Sequence, residues 1–364
     1  MTQGHHILIL TAGAGGGHKA AGEALSGELA SAGHHVLVED GLNLMSGWIE
    51  RLAVSSYRKG LTSRGSTGWL PTSWGMAFKV TSNRYGSRMI HRLTSSPAFT
   101  KELRALLRSS APDLVVSTYP LVSAAVGRLR RSGELSCPVA ALITDYGAHP
   151  LWVASGVDLN LVPSLISAGL VERAGGKALA VRIPTRASHA RVDRRKARKD
   201  LGVPQEGASV ALISGGAWGA GNLGETTRTV LGCGWHAIVA TGGNESLMRR
   251  LRDLLGGEER VLILGWRKDM ARVMAAADCL IQNAGGMTAL EAIDLGVPLV
   301  SFDPIAGHGE YNARIMEEAG VALWARDARA LEEILTAGRP PAPRREEGLP
   351  SAVEALENLL VRSR

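Results

Sequence analysis

The chain has 364 residues, 45% of them hydrophobic, which is more than one ordinary compact domain holds and suits two α/β domains of similar size. No run approaches the roughly 18 apolar residues that span a bilayer, and no charged-then-apolar leader precedes the first strand-like run, so a cytoplasmic protein is expected. The net charge of +7 is unevenly placed: eleven Lys or Arg lie between Arg51 and Arg108 against one acid, Glu102, interleaved with Tyr57, Trp69, Trp74, Phe78, Tyr85 and Phe99.

In chain order, HILILT (6–11), HVLVED (35–40), DLVVST (113–118), VAALIT (139–144), DLNLVP (158–163) and ALAVRI (178–183) are short apolar runs separated by helix-length segments. That alternation predicts a parallel sheet wrapped by helices. After Pro184, TRASHARVDRRKARKDLG has no apolar period and reads as a linker leading into a basic helix. A second series follows: SVALIS (209–214), HAIVAT (236–241), RVLILG (260–265), DCLIQN (278–283) and PLVSF (298–302). RPPAPRREEGLP (339–350) cannot pack as helix or strand because of its prolines, and an amphipathic SAVEALENLLVRSR closes the chain. The expected organisation is a Rossmann-like domain over 1–184, a linker over 185–203, a second Rossmann-like domain over 204–338, and a tail over 339–364 whose helix returns to the first domain. The fold class is α/β, with two domains facing across a cleft.

Cys137, Cys233 and Cys279 are odd in number and sit in or beside apolar segments, which supports neither a disulfide framework nor a zinc site. No Asp-x-Asp motif occurs, so no metal is called for.

The first strand runs into Thr11-Ala12-Gly13-Ala14-Gly15-Gly16-Gly17-His18, with Ala21, Ala24, Leu25 and Leu29 along one face of the helix that follows. Glycines there let the backbone approach a ligand and leave N–H groups at the helix start aimed at it. Nicotinamide and flavin enzymes share such a turn, and Glu39 or Asp40 at the end of the second strand is a candidate ribose ligand in that reading. Against it, the third glycine of G-x-G-x-x-G is replaced by His18. A histidine at a strand end and helix N-terminus is favoured in its neutral form, as a general base for a hydroxyl acceptor must be. The plain alternative is a loop cap.

In the second series, Asn283-Ala284-Gly285-Gly286-Met287-Thr288-Ala289-Leu290-Glu291 is a strand end, a glycine pair and a first helical turn. A diphosphate can sit against the amides of Gly285, Gly286, Met287 and Thr288, with Glu291 one turn on and in reach of vicinal ribose hydroxyls. Ser214-Gly215-Gly216-Ala217-Trp218-Gly219, Gly242-Gly243-Asn244 and Gly265-Trp266-Arg267 end other strands at the same sheet edge, where open α/β sheets bind ligands.

Jointly, GGGHKAA (15–21), PDLVVSTYPL (112–121), ITDYGAHPLWVASGVD (143–158), GGAWGAGNL (215–223) and NAGGMTALEAIDLGVPLV (283–300) resemble the monogalactosyldiacylglycerol synthases and diacylglycerol glucosyltransferases, relatives of the peptidoglycan N-acetylglucosaminyltransferase. The resemblance implies a GT-B type fold and inverting transfer of a hexosyl group from a UDP-sugar, a donor substrate rather than a cofactor, to a diacylglycerol-like lipid. It implies that His18 is the base, with Asp145 and His149 on the acceptor side beside Gly16 and Gly17. It further implies that Glu291 holds the ribose, that the Trp266 region frames the uracil with Gly216 and Trp218 nearby, and that the Gly307–Asn312 segment meets the sugar. There the sequence departs from the lipid enzymes, whose segment reads G-Q-E: His308 stands in the glutamine place and Gly309 in that of the acid, with Glu310 displaced by one, while Asn312 keeps its distance from Gly307. Sugar choice is left open.

The basic stretch 51–108, with Trp69 and Trp74, fits an anionic membrane surface on the cytoplasmic side. A solvated basic face over ordinary core aromatics is the plain alternative. Three other functions compete: transfer to a soluble or polyprenyl-linked natural product, a UDP-sugar epimerase of the same plan, and a nucleic-acid-binding protein. The last leaves His18 and the glycine loops without a role.

Overall fold

The computed structural model describes residues 4–13, 16–45, 80–188, 190–283 and 285–363. They divide into two units, the first ending at Thr185 and regaining the chain from Glu346 onward, the second running Arg186–Arg345.

The first unit holds β1 (His6–Thr11), α1 (Gly17–Ser31), β2 (His35–Asp40), α2 (Arg84–Thr94), α3 (Lys101–Ser110), β3 (Leu114–Ser117), α4 (Pro120–Arg131), β4 (Val139–Leu142), β5 (Leu159–Val162), α5 (Leu165–Arg173) and β6 (Ala178–Ala180). Its six strands are parallel in the order β2-β1-β3-β4-β5-β6. β3 and β4 are buried along their whole length, which is why they read as unbroken apolar runs. α1 lays Ala21, Leu25 and Leu29 on the sheet. Gly22 makes that contact close, since a Cβ there would collide with Thr11 Cγ2. The packing glycine absent at position 18 is thus supplied one turn later.

The second unit holds α6 (Arg194–Leu201), β7 (Val210–Ser214), α7 (Leu223–Gly232), β8 (His236–Ala240), α8 (Glu245–Leu255), β9 (Val261–Leu264), α9 (Met270–Ala276), β10 (Cys279–Gln282), α10 (Met287–Asp294), β11 (Leu299–Phe302), α11 (His308–Glu318), β12 (Leu323–Ala325) and α12 (Ala328–Thr336). The parallel order is β12-β11-β10-β7-β8-β9, the doubly wound arrangement with its reversal between β7 and β10. β12 was not read from the sequence; it is three residues long and its Leu323 and Trp324 are only partly buried.

The stretch 185–203, expected as a linker, contains α6, and from Arg186 onward it lies in the second unit. The basic helix expected at its end is there, but it is packed rather than solvated, because its charges are neutralised far along the chain. Arg198 is 3% exposed and donates to Asp278 at 2.6 Å, and Arg194 bonds the other carboxylate oxygen. Burial pushes the Asp278 carboxyl up, but the Val210 amide and both guanidiniums outweigh it and hold the group below its ordinary range.

The C-terminal segment from Glu346 belongs to the first unit. Glu346 accepts from the Leu165 amide, Arg182 and Ser351 form a parallel bridge, and in the closing helix α13 (Ala352–Arg362) is Glu357, 3.2 Å from His34 Nε2. Among the described residues no helix is long and apolar enough to cross a membrane.

Candidate active site

In the first sheet the order reverses between β1 and β3, so the loops leaving those strands part and open a crevice at their carboxyl ends. His18 sits there, in the first turn of α1, on a loop beginning at Thr11. Three residues hold it. Thr118, just past β3, donates its hydroxyl to the His18 carbonyl at 3.0 Å. The Tyr119 ring meets the imidazole edge-on, centroids 5.1 Å apart, and the Trp152 ring lies 5.5 Å away at 53°.

The loop itself is tied to β2. Asp40 accepts from the Gly13 amide at 2.9 Å through Oδ2, and from the Leu42 and Asn43 amides at 3.0 and 3.1 Å through Oδ1. Those three bonds give Asp40 a structural role as a staple for the glycine loop, which weighs against the dinucleotide alternative in which it holds a ribose. Asp40→Ala should cost about 1–2 kcal/mol in chemical denaturation, the net worth of such bonds on a partly exposed loop.

Asp145, His149 and Trp152 lie beyond β4 at the same sheet edge, and all three are buried. His149 Nδ1 accepts from the Leu151 amide at 3.1 Å, so the ring proton is on Nε2, which donates to Ser82 Oγ at 3.2 Å. Trp152 closes a 3-10 turn over Pro150–Trp152. Trp69 and Trp74 lie outside the described residues, and of the stretch 51–108 only 80–108 is described.

In the second sheet the reversal falls between β7 and β10, and the loops after those strands are Ser214–Gly221 and Asn283–Gly286. Gly285 has φ 80°, and a Cβ there would collide with Asn312 Nδ2, so only glycine lets α11 come this close. Of the four amides that the sequence offers a diphosphate, that of Gly285 is already taken by Gln282 Oε1. Gly286, Met287 and Thr288 stand at the start of α10, where backbone donors have no partner further back in the helix. Glu291, one turn on, is mostly buried, and desolvation pushes its carboxyl up to about 7, with the Arg186 charge opposing and Asp294 adding to the rise.

Gly216 and Trp218 form a 3-10 turn after β7, stitched to the loop after β8 by the Gly243 amide on the Ala217 carbonyl at 2.8 Å and by Asn244 on the Trp218 carbonyl at 3.2 Å. Trp266, after β9, is 57% exposed. Glu310 turns back to cap its own helix at the Gly307 amide, Asn312 is buried beneath Gly285, and His308 is the first residue of α11. A Cβ at Gly309 would lie 2.7 Å from the Asn283 carbonyl oxygen, so no acid fits the place where the lipid enzymes carry one.

Asp40, Thr118, Tyr119, Gln282 and Arg186 were not picked out for these roles. Tyr119 and Trp152 stand within motifs quoted above, but nothing in a motif says that both rings touch His18. Among the described residues no cluster of three His, Cys, Asp or Glu is placed to hold a metal ion.

Two doubly wound parallel sheets, each with glycine loops at its reversal, are the plan of the GT-B glycosyltransferases, and solved structures of that class are similar over the whole chain. The glycosyltransferase SnogD from Streptomyces nogalater is 17% identical with a TM-score of 0.62, covering 100% of both chains. Acinetobacter baumannii MurG is 17% identical with a TM-score of 0.58, over 98% of this chain and 99% of that one. More narrowly, residues 18–168 match the family model of monogalactosyldiacylglycerol (MGDG) synthase and residues 225–337 that of glycosyl transferases group 1. A processive diacylglycerol beta-glucosyltransferase of Bacillus cereus (strain G9842) is 28% identical over 237 residues, 62% of this chain. The chain spans 60% of the length of that curated relative.

Proposed function

We propose that this protein is an inverting glycosyltransferase that moves a hexosyl group from a UDP-sugar to the hydroxyl of a diacylglycerol-like lipid, working at the cytoplasmic face of an anionic membrane. The observation that carries the reading is the setting of His18, an imidazole fixed by two aromatic rings at the reversal of one sheet, in a chain whose second sheet offers a helix start and a desolvated carboxylate at its own reversal. A base in one domain and a nucleotide grip in the other is what such a transfer needs.

In the reaction, His18 takes the proton of the acceptor hydroxyl as its oxygen attacks the anomeric carbon. The bond from that carbon to the diphosphate breaks, and UDP leaves with the electron pair. The amides of Gly286, Met287 and Thr288 meet the charge that develops on the leaving oxygens, fixed dipoles that need no reorganisation. Glu291 accepts from the ribose hydroxyls and Trp266 lies against the base. Asp145 and His149 belong to the acceptor side.

Lipid as acceptor draws on the MGDG synthase match and on the relative's name. The basic stretch 51–108 supports an anionic surface, and a nucleic-acid partner is not invoked. The test is incubation with a panel of UDP-sugars and diacylglycerol vesicles, with glycolipid sought by mass spectrometry. A product from one sugar is expected. Sugar epimerised without acceptor, or transfer only to a soluble or polyprenyl-linked alcohol, contradicts the reading.

A further inference from the structure

An open sheet edge offers its backbone to any other strand, so edges are normally blunted by charge, by proline or by shortness. Among the strands that end the two sheets, β2 carries His35, Glu39 and Asp40, and β6 and β12 are three residues long. β9 has none of these guards. Val261, Leu262, Ile263 and Leu264 are all apolar and all half-buried, and among the described residues the strand pairs with β8 alone.

The direction of its backbone groups limits what can join it. Ala237 in β8 and Thr241 just past β8 donate their amides to the Arg260 and Leu264 carbonyls at 2.8 and 2.9 Å. Backbone groups alternate sides along a strand, so Leu262 also faces β8, while Val261 and Ile263 face outward. The Val261 amide is already bonded to the Glu258 carbonyl at 3.1 Å, which leaves Ile263 with both donor and acceptor on the open side and Val261 with its carbonyl.

Charge at the two ends of the strand is opposite. Glu258 and Glu259 precede it, and Arg267 and Lys268 follow it. Glu258 bonds Arg260 at 3.1 Å and Arg267 bonds Asp269 at 2.6 Å, so those two charges are satisfied within the chain. Glu259 and Lys268 are exposed, and among the described residues neither has an ion-pair partner. A strand with an acid before it and a base after it is complementary to its own reverse. Beside the amino end of β9 lies a cavity of about 650 Å³, to which Leu201, Val203, Pro204, Val261 and Leu262 give an apolar wall.

We propose that two copies of this protein associate through β9, antiparallel about Ile263, so that the sheets of their second units join edge to edge. Ile263 of each copy exchanges amide and carbonyl bonds with Ile263 of the other, and the Val261 carbonyl accepts from the other copy's Gly265 amide. This register calls on no donor that is already bonded, whereas setting Val261 opposite Ile263 would need the Val261 amide. It also brings Glu259 to the other copy's Arg267–Lys268 turn and lays that turn over the apolar wall of the cavity. The contact uses neither the candidate base nor the amides assigned to the diphosphate, so it is independent of the glycolipid reading.

The contact is small, so the dimer belongs with weak associations: in sedimentation velocity the full-length protein should be substantially dimeric at about 100 μM and largely monomeric at about 1 μM. Amide hydrogen exchange at Ile263 should slow from the lower to the higher concentration, while that at Leu262, already bonded to β8, should be slow at both. Glu259→Lys and Lys268→Glu change exposed side chains and should leave the fold intact. Each should weaken the dimer at least about tenfold, because the two-fold axis repeats every like-charge contact, and the two substitutions combined should restore it by returning opposite charges to each end. A parent that stays monomeric at the higher concentration overturns the proposal, as does a dimer in which Ile263 exchanges as fast as in the monomer. So does a dimer indifferent to both single substitutions, or a double variant no tighter than the single ones.

Discussion

His18→Ala should lower the rate of glycolipid formation by about a hundred- to ten-thousand-fold, the range a general base contributes, while UDP binding changes less than about threefold. The two readouts separate because His18 stands on the first sheet, held by Thr118, Tyr119 and Trp152, whereas the loops assigned to the nucleotide belong to the second. His18 is only partly buried as a residue, so the alanine variant should fold and its UDP affinity can be read by calorimetry. A matching loss of UDP affinity in a folded variant would move His18 from base to donor ligand. Substitution by Asn, which keeps a polar group but takes no proton, should be as inactive as Ala if proton removal is the role.

Glu291→Gln should act in two opposite directions. The native carboxyl holds its proton up to about pH 7, whereas an unfolded chain releases it near the ordinary value of 4.5. Between those limits the folded state binds more protons than the unfolded one, so this group's contribution lowers stability as pH rises from about 4.5 to about 7 and levels off above. Removing the charge should therefore stabilise the ligand-free protein by about 2–3 kcal/mol at pH 8 and by almost nothing at pH 4, seen as a shift in the denaturation midpoint that grows with pH. UDP should behave the other way. An ionised carboxylate makes charge-assisted bonds to vicinal hydroxyls, so affinity in the parent should climb with pH through about 7, and Gln should weaken it about ten- to hundredfold and flatten the pH profile. A variant no more stable than the parent at pH 8 would mean that the carboxylate is better solvated than its surroundings imply; unchanged UDP affinity would remove it from the nucleotide site.

The parallel sheets were legible because strands covered on both faces must be apolar throughout, as in β3, β4 and β7, and because helix-length spacers leave few other topologies. The placing of the glycine loops and of His18 at strand ends was legible for the same reason, the strands themselves being legible. What stayed hidden depended on contacts across long separations. An acid at the end of β2 reads equally as a ribose ligand or as a staple for its neighbour's loop, and only the Gly13, Leu42 and Asn43 amides decide for Asp40. Tyr119 and Trp152 reach His18 from loops after two other strands. The run around Arg194 and Arg198 was legible as a basic helix but not as a packed one, because Asp278, which neutralises it, lies some eighty residues away.

The most direct test of a base-driven, single-displacement transfer is the anomeric configuration of the product. With a UDP-sugar whose anomeric bond is α, the proton spectrum of the glycolipid should show only the β anomer, since attack by the deprotonated hydroxyl comes from the face opposite the diphosphate. An α-linked product would contradict that account and take the role of base away from His18.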